Sequence, residues 1–514
     1  MNRKSFLLVA LASAALVALP LTAAKAQTRG GNVIVAITQA PPTLDAQITT
    51  IQSARYVSLH IFETLYARDE NGKPIPDLAE GATVSPDGKT YTLSLRNGVK
   101  FHNGKTMTSA DVVASLERYR KVGANASLLS EVESISAKGP NEVVIKLKKV
   151  QSTLIDSLSS STAPLAIYPA EEAAKGPDKI AYIGTGPYKF VELSPDSHVK
   201  LERFKDYVPN PHYTKRDGFG GRKEAYFDTV TFRFMPEAGA RVAALESGEV
   251  HVVETVDGPT KKRLERNTAY TIYPLLPFSF QIVKFNHAVP PTDNLAFRQA
   301  VVAALDMEEI MSIAYPDIYQ LDGGWLYPNS PDYSNAGLKD YNKPDMKKAK
   351  ELLAKSGYKG ETLTFLVDNL RANTDTATVV QQRLAQIGVK VDIKVTDWPT
   401  AVKIGWSPAG WNLFAHGFGI QPFEGAGTVM ASWTGGQLHQ KPDPEIDRLY
   451  AEFSAEMNPE KRKALFATFQ KHMIDNVIAA KVGNYGLFQV STSKLHGFKP
   501  YRIPRMWGVW LDKS

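Results

Sequence analysis

The residues best suited to hold a small molecule fall in one short run, HGFGIQPFEGAG, from His416 to Gly427. It offers the aromatic face of Phe418, the amide of Gln421 and one carboxylate, Glu424, on a backbone opened by Gly417 and Gly419. An amide and a carboxylate can hydrogen-bond a solute, and an aromatic face adds contact area at little entropic cost. Glycine and proline at this density predict a loop, because both break a regular helix. Three tryptophans extend the same chemistry. Trp325 in DGGWLYPNS and Trp433 in ASWTGG are expected on glycine-flanked loops. Trp398 in TDWPTA follows an expected strand at its carboxyl end, where open α/β sheets gather ligands. For each tryptophan the plain alternative is packing.

Catalytic signatures are missing. There is no G-x-S-x-G elbow and no Walker loop. GTGPYKF, Gly184 to Phe190, lacks the lysine and hydroxyl pair of a phosphate loop, and Pro187 begins an extended segment. The ten histidines show no metalloprotease spacing. His416, alone beside an expected strand, reads as packed. The absence of cysteine removes disulfides, thiolate metal sites and cysteine nucleophiles. The carboxylates are scattered, which neither supports nor excludes a glycosidase pair. No cofactor or metal is expected, and a binding protein is favoured over an exported hydrolase.

The elements that must position these groups follow a β/α rhythm. NVIVAIT, Asn32 to Thr38, reads as a buried strand; YTLSLR and NEVVIKLKK read as half-buried strands. SADVVASLERYR reads as a helix with Ser109 as its cap. Further helices are expected before Gly248, after Asn294, and from Asp345 to Gly357 with Leu352 and Leu353 buried. The clearest unit runs from Glu361 to Val395. TLTFLV is a strand, Thr374 to Ile387 a helix with Asn373 as a possible cap, and VKVDIKV an alternating strand after Gly388. Strand, helix and strand with short links predict a parallel βαβ crossover.

The chain opens like a secretory leader. Arg3 and Lys4 precede the apolar run Phe6 to Leu19, Pro20 breaks it, and Ala24 and Ala26 supply the small residues of a cleavage site. That run is too short to span roughly 30 Å of hydrocarbon as a helix. Residues 1–26 are therefore expected to be a signal peptide cleaved after Ala26, leaving a soluble periplasmic chain. The formal charge of +7 is mildly basic and dispersed. TKKRLERN reads as a solvated helix face, so no nucleic-acid partner is expected.

The segment FETLYARDENGKPIPDLAEGATVSPDGKTYTLSLRNGVKFHNGKTMTSADVVASLER, Phe62 to Arg118, resembles the signature region of the family 5 extracellular solute-binding proteins of ABC transporters. The resemblance rests on Pro76-Asp77-Leu78-Ala79, Asp87-Gly88-Lys89, Leu95-Arg96-Asn97-Gly98-Val99-Lys100-Phe101, Gly104 and Ala110-Asp111-Val112. GTGPY, ALESGEV, AKELLAKSGY and the helix bearing Arg298, Gln299 and Ala300 agree with it.

The resemblance implies an α/β periplasmic binding protein of the type II fold, cluster C. Two α/β lobes close about a hinge, and a small extra α/β domain is inserted. Residues 27–65, 184–280 and 484–514 would form lobe I, residues 66–183 the extra domain II and residues 281–483 lobe III. The expected ligand is a small solute, and the expected partners are the permease subunits of an inner-membrane importer, with the binding protein monomeric. Arg96, Gly98 and Phe101 would serve structure. In the peptide-binding relatives a G-W-x-x-D loop pairs its aspartate with the peptide ammonium. The matching positions are Gly417, Phe418, Gly419, Ile420 and Gln421, so the acid is replaced by an amide. A buried ammonium needs a charge partner, so a sugar-like, opine-like or otherwise neutral or anionic solute is expected, unless Glu424 supplies the missing acid. Those relatives also bind the ligand carboxylate through an arginine in the second lobe, in the region of Arg371.

Overall fold

The computed structural model describes residues 27–512, so the expected leader lies outside the described residues. Ten strands form one continuous mixed sheet, with Tyr319–Gln320 joining it off the main path. At its centre the two longest strands, Tyr270–Phe285 and Ala479–Thr492, run antiparallel. Sixteen residues of strand reach about 54 Å, enough to serve two lobes. At one end Ala479–Thr492 pairs with Val252–Val256, which leads to Asn32–Ile37, Thr229–Phe234, His198–Arg203 and Tyr188–Ser194. At the other end Tyr270–Phe285 pairs with Leu413–Phe418, which leads to Thr362–Asp368 and Lys390–Thr396.

The central pairing breaks midway along the two strands. Leu275 faces Leu487, but the next registered pair is Ser279 with Tyr485. Pro277 sits in the gap and has no N–H to give to a ladder. A second register shift follows between Gln281 and Ile282, so the irregular stretch spans the middle of the pairing. This is the two-lobed type II architecture expected from the sequence.

A separate four-stranded antiparallel sheet has the order Ala79–Val84, Thr90–Leu95, Glu142–Leu147, Val132–Ala137. Alternation places Leu93, Leu95, Val143 and Ile145 inward, where they meet Val112, Leu116 and Tyr119 of the helix Ser109–Val122. That helix is capped one residue earlier than expected. Thr108, not Ser109, exchanges hydrogen bonds with Asp111 in a capping box, while the Ser109 hydroxyl donates to the Gly139 carbonyl. Phe101 is fully buried in this core, Gly98 takes a left-handed φ of 72°, and Arg96 donates to the Val208 carbonyl.

The βαβ unit forms with its two strands parallel. Its helix begins earlier than expected, spanning Arg371–Ala385, so Asn373 lies inside it and donates to Asp368 rather than capping. Asn294 and Asp345 cap their helices as read, accepting from Phe297 and Lys348. Leu352 and Leu353 are half-buried, not core. The largest correction concerns residues 416–427. The strand Leu413–Phe418 is followed by two short helices, Ile420–Glu424 and Ala426–Trp433, separated at Gly425, whose φ is 100°. Tertiary packing overrides the weak propensity, because Phe423, Val429, Met430 and Trp433 all enter the main core.

Candidate ligand-binding cleft

The two lobes meet across a small cavity of about 90 Å³. Its first wall is the start of the helix Gln52–Ile61, which is buried at every position from Ser53 to Ile61. Arg55 on this helix is only 6% exposed and lines the cavity. Among the described residues no hydrogen bond or ion pair reaches its guanidinium, and its Nε is orphaned. Burial lowers its pKa to about 10, against the pull of Glu424, so the group remains charged at neutral pH.

A second cation comes from the C-terminal segment. Arg502 donates to the Phe278 carbonyl at 2.9 Å, and its guanidinium lies 4.4 Å from the Phe423 ring centroid and 5.2 Å from that of Tyr327. Aromatic faces hold a guanidinium without neutralising it.

The opposite wall brings the sequence-singled segment to the cavity. Gly419 lines it directly. A Cβ at Gly419 would stand 2.7 Å from the Ser279 hydroxyl and 3.0 Å from its Cβ, so only glycine lets this segment approach the long strand. A Cβ at Gly417 would meet the Tyr485 hydroxyl at 2.5 Å. Glu424 is buried and committed. One of its oxygens accepts from the Ser161 amide at 3.0 Å, the Ser161 hydroxyl at 2.8 Å and the Thr162 hydroxyl at 3.1 Å. Ser152 adds a second bridge, donating from its amide to the Ser454 carbonyl at 2.8 Å.

The remaining expected site residues are dispersed. Phe418 is buried between Phe280, Trp325 and Trp433, at centroid distances of 6.4, 6.3 and 5.9 Å. Trp325 and Trp433 pack edge-on at 5.2 Å behind it, and Trp433 ends a helix rather than sitting on a loop. Trp398 opens the helix Trp398–Gly405 and is 45% exposed. Arg371 is 93% exposed and pairs with Asp375 at 3.4 Å. The backbone of Gln421 lies in the helix Ile420–Glu424, but its side chain lies outside the described residues. His416 is buried beside Trp398, Trp406 and Phe414, and burial, with the Lys284 charge, lowers its pKa to about 3. Sequence reasoning missed Arg55, Arg502, Ser161 and Thr162. Only one cue existed, an arginine inside the otherwise uncharged run QSARYVSLHI.

A larger cavity, about 920 Å³, opens inside the second lobe between Trp325, Leu338, Tyr341, Leu352 and Ile474. Its buried cation, Lys481, is already paired with Asp322 at 2.9 Å. The smaller cavity is the one that both lobes share and that an unsatisfied charge faces.

A sheet threaded through two α/β lobes, with a cavity between them, defines a bilobal solute-binding protein. The chain belongs to the bacterial extracellular solute-binding proteins, family 5, whose model matches residues 73–440. It is 26% identical to a probable peptide ABC transporter periplasmic-binding protein, y4tO, of Sinorhizobium fredii, over 90% of this chain and 91% of that one. It is also 26% identical to the glutathione-binding protein GsiB of Pectobacterium atrosepticum, over 96% of each. The substrate-binding protein CtaP of Listeria monocytogenes shares the fold with a TM-score of 0.82 at 22% identity, covering 94% of this chain and all of that one. The protein is thus a solute-binding component of an ABC importer.

Proposed function

We propose that the chain captures its solute in the cavity between the lobes and presents the closed form to a membrane permease pair. The observation that carries this reading is Arg55, a charged group held without a partner in a gap that both lobes wall. A buried unpaired charge is costly, and a bound solute would satisfy it. A ligand that bridges both walls favours the closed state, as any closure driven by binding requires. The segment around the Leu275–Ser279 register break would serve as the hinge, with residues 27–65, 184–280 and 484–514 moving against 281–483 and residues 66–183 as the inserted domain.

In this reading the protein binds and releases without turnover, acts as a monomer, and reaches the periplasm after cleavage behind Ala26. Of the residues singled out in the sequence, Gly419 and Glu424 shape the cleft, while Gln421 replaces the acid that grips a peptide ammonium in related proteins. Peptide-like solutes such as those named for the relatives fit best when they carry no free amine to be buried. Scattering profiles of the mature chain with and without candidate solutes test the proposal. Contraction with one solute class is expected, whereas an unchanged shape across all classes, or covalent product, would refute it.

A further inference from the structure

We infer that the cleft selects a compact carboxylate without a free ammonium, gripped by Arg55 from the first lobe and steadied by Arg502 from the C-terminal segment. The inference rests on the cleft being the capture site and names the chemistry it takes.

Three observations carry it. The first is charge. Two guanidinium groups face the cavity, and among the described residues the carboxylate named as acting on Arg55 is that of Glu424, one oxygen of which holds Ser161 and Thr162. Two cations against one carboxylate leave an excess of positive charge, which an incoming ammonium would meet and an incoming carboxylate would balance. Gln421, an amide, adds no charge to the segment. The second is geometry. Arg502 keeps one nitrogen on the Phe278 carbonyl and stacks on Phe423, which fixes its plane and leaves donors over. Arg55 makes no hydrogen bond or ion pair among the described residues and feels Glu424 only as a longer-range attraction. A guanidinium with free edges matches a carboxylate bidentately. The third is size and lining. A volume of 90 Å³ holds about six waters, which suits a short acid. The hydroxyl oxygens of Thr162 and Ser279, whose protons go to Glu424 and the Phe280 carbonyl, can still accept, and the Gln52 amide, which gives one N–H to the Tyr56 hydroxyl, keeps its oxygen and a second N–H, beside the apolar Phe278 and Phe423. A hydroxylated or amide-bearing acid would donate to these oxygens.

The mature chain would be screened by thermal shift against several hundred small nutrients sorted by charge. The set includes gluconate, glucose, glucose 6-phosphate and alanyl-alanine, which compare a carboxylate, a neutral polyol, a phosphate ester and a zwitterion. Stabilising solutes are expected among the carboxylates. Arg55→Gln should weaken them by about 30-fold or more, and Arg55→Lys should restore only part of the loss because the fork is gone. A second readout is independent of any solute. Arg55→Met should raise the melting temperature of the ligand-free protein, since it removes an unsatisfied buried charge; a fall would make Arg55 a structural residue and overturn the inference. Tight binding confined to neutral sugars, phosphate esters or zwitterionic peptides would overturn it too, while leaving the capture reading intact. Silence from every class would take both away.

Discussion

Glu424 and Ser161 meet across the cleft although 263 residues separate them: one carboxylate oxygen accepts both the amide and the hydroxyl of the serine. The contact ties the helix Ile420–Glu424 to the segment carrying Ser161. In the proposed reading it acts as a latch on the closed form.

Opening that latch should loosen closure. Glu424→Ala leaves the buried Ser161 amide unsatisfied and is expected to cost about 1–3 kcal/mol of closed-state stability. Small-angle scattering should show a larger radius of gyration for the variant. A profile identical to the parent's would remove the latch.

The contact of Gly419 with the long strand should tolerate no side chain. Gly419→Ala drives a methyl group to within 3.0 Å of Ser279 and is expected to destabilise by about 1–3 kcal/mol. Denaturant unfolding measures it, and a neutral result would mean that the segment shifts freely.

Lys223 lies buried between Glu63 at 3.0 Å and Asp77 at 2.9 Å. Burial opposes its charge, but the two carboxylates outweigh burial and raise its pKa. Lys223→Met strands both acids and is expected to cost about 3–5 kcal/mol. Replacing all three together with apolar residues should recover much of that loss.

Lys284 supplies a pH signature. It is fully buried, with its ammonium 4.0 Å from the Trp406 centroid and 5.0 Å from that of Phe414, and burial lowers its pKa to about 7. The unfolded chain holds this proton up to the ordinary lysine value near 10.5. Between those values the unfolded state binds more protons, so this residue's contribution to stability rises with pH, by up to about 1.4 kcal/mol per unit. Below about pH 7 its penalty is fully present. Lys284→Met should therefore stabilise most at pH 6 to 7 and least near pH 10, as read by denaturant unfolding across that range. A constant difference would show that Lys284 does not titrate in this window.

Local rules in the sequence determined much of this protein. Asn294 and Asp345 cap helices because a short polar side chain can take an orphan N–H, and Gly357 and Gly388 end helices because only glycine sits easily at positive φ. Period-two patterns placed two of the four strands of the separate sheet, Thr90–Leu95 and Glu142–Leu147, and the βαβ unit followed from its strand and helix periodicities with short links. The glycine-rich run was misread because propensity was all that could be weighed there; Phe423 and Trp433 gain more from the core than glycine loses in the helix.

The make-up of the cavity was decided only in three dimensions. Arg55 and Arg502 stand at opposite ends of the chain, and nothing local brings them to one cavity. Burial on every side of one helix, together with a C-terminal segment laid over aromatic rings, did that. Whether an arginine is a solvated surface charge, as Arg371 is, or a buried cation without a hydrogen bond, as Arg55 is, depends on what surrounds it. Those surroundings are set by contacts between segments hundreds of residues apart.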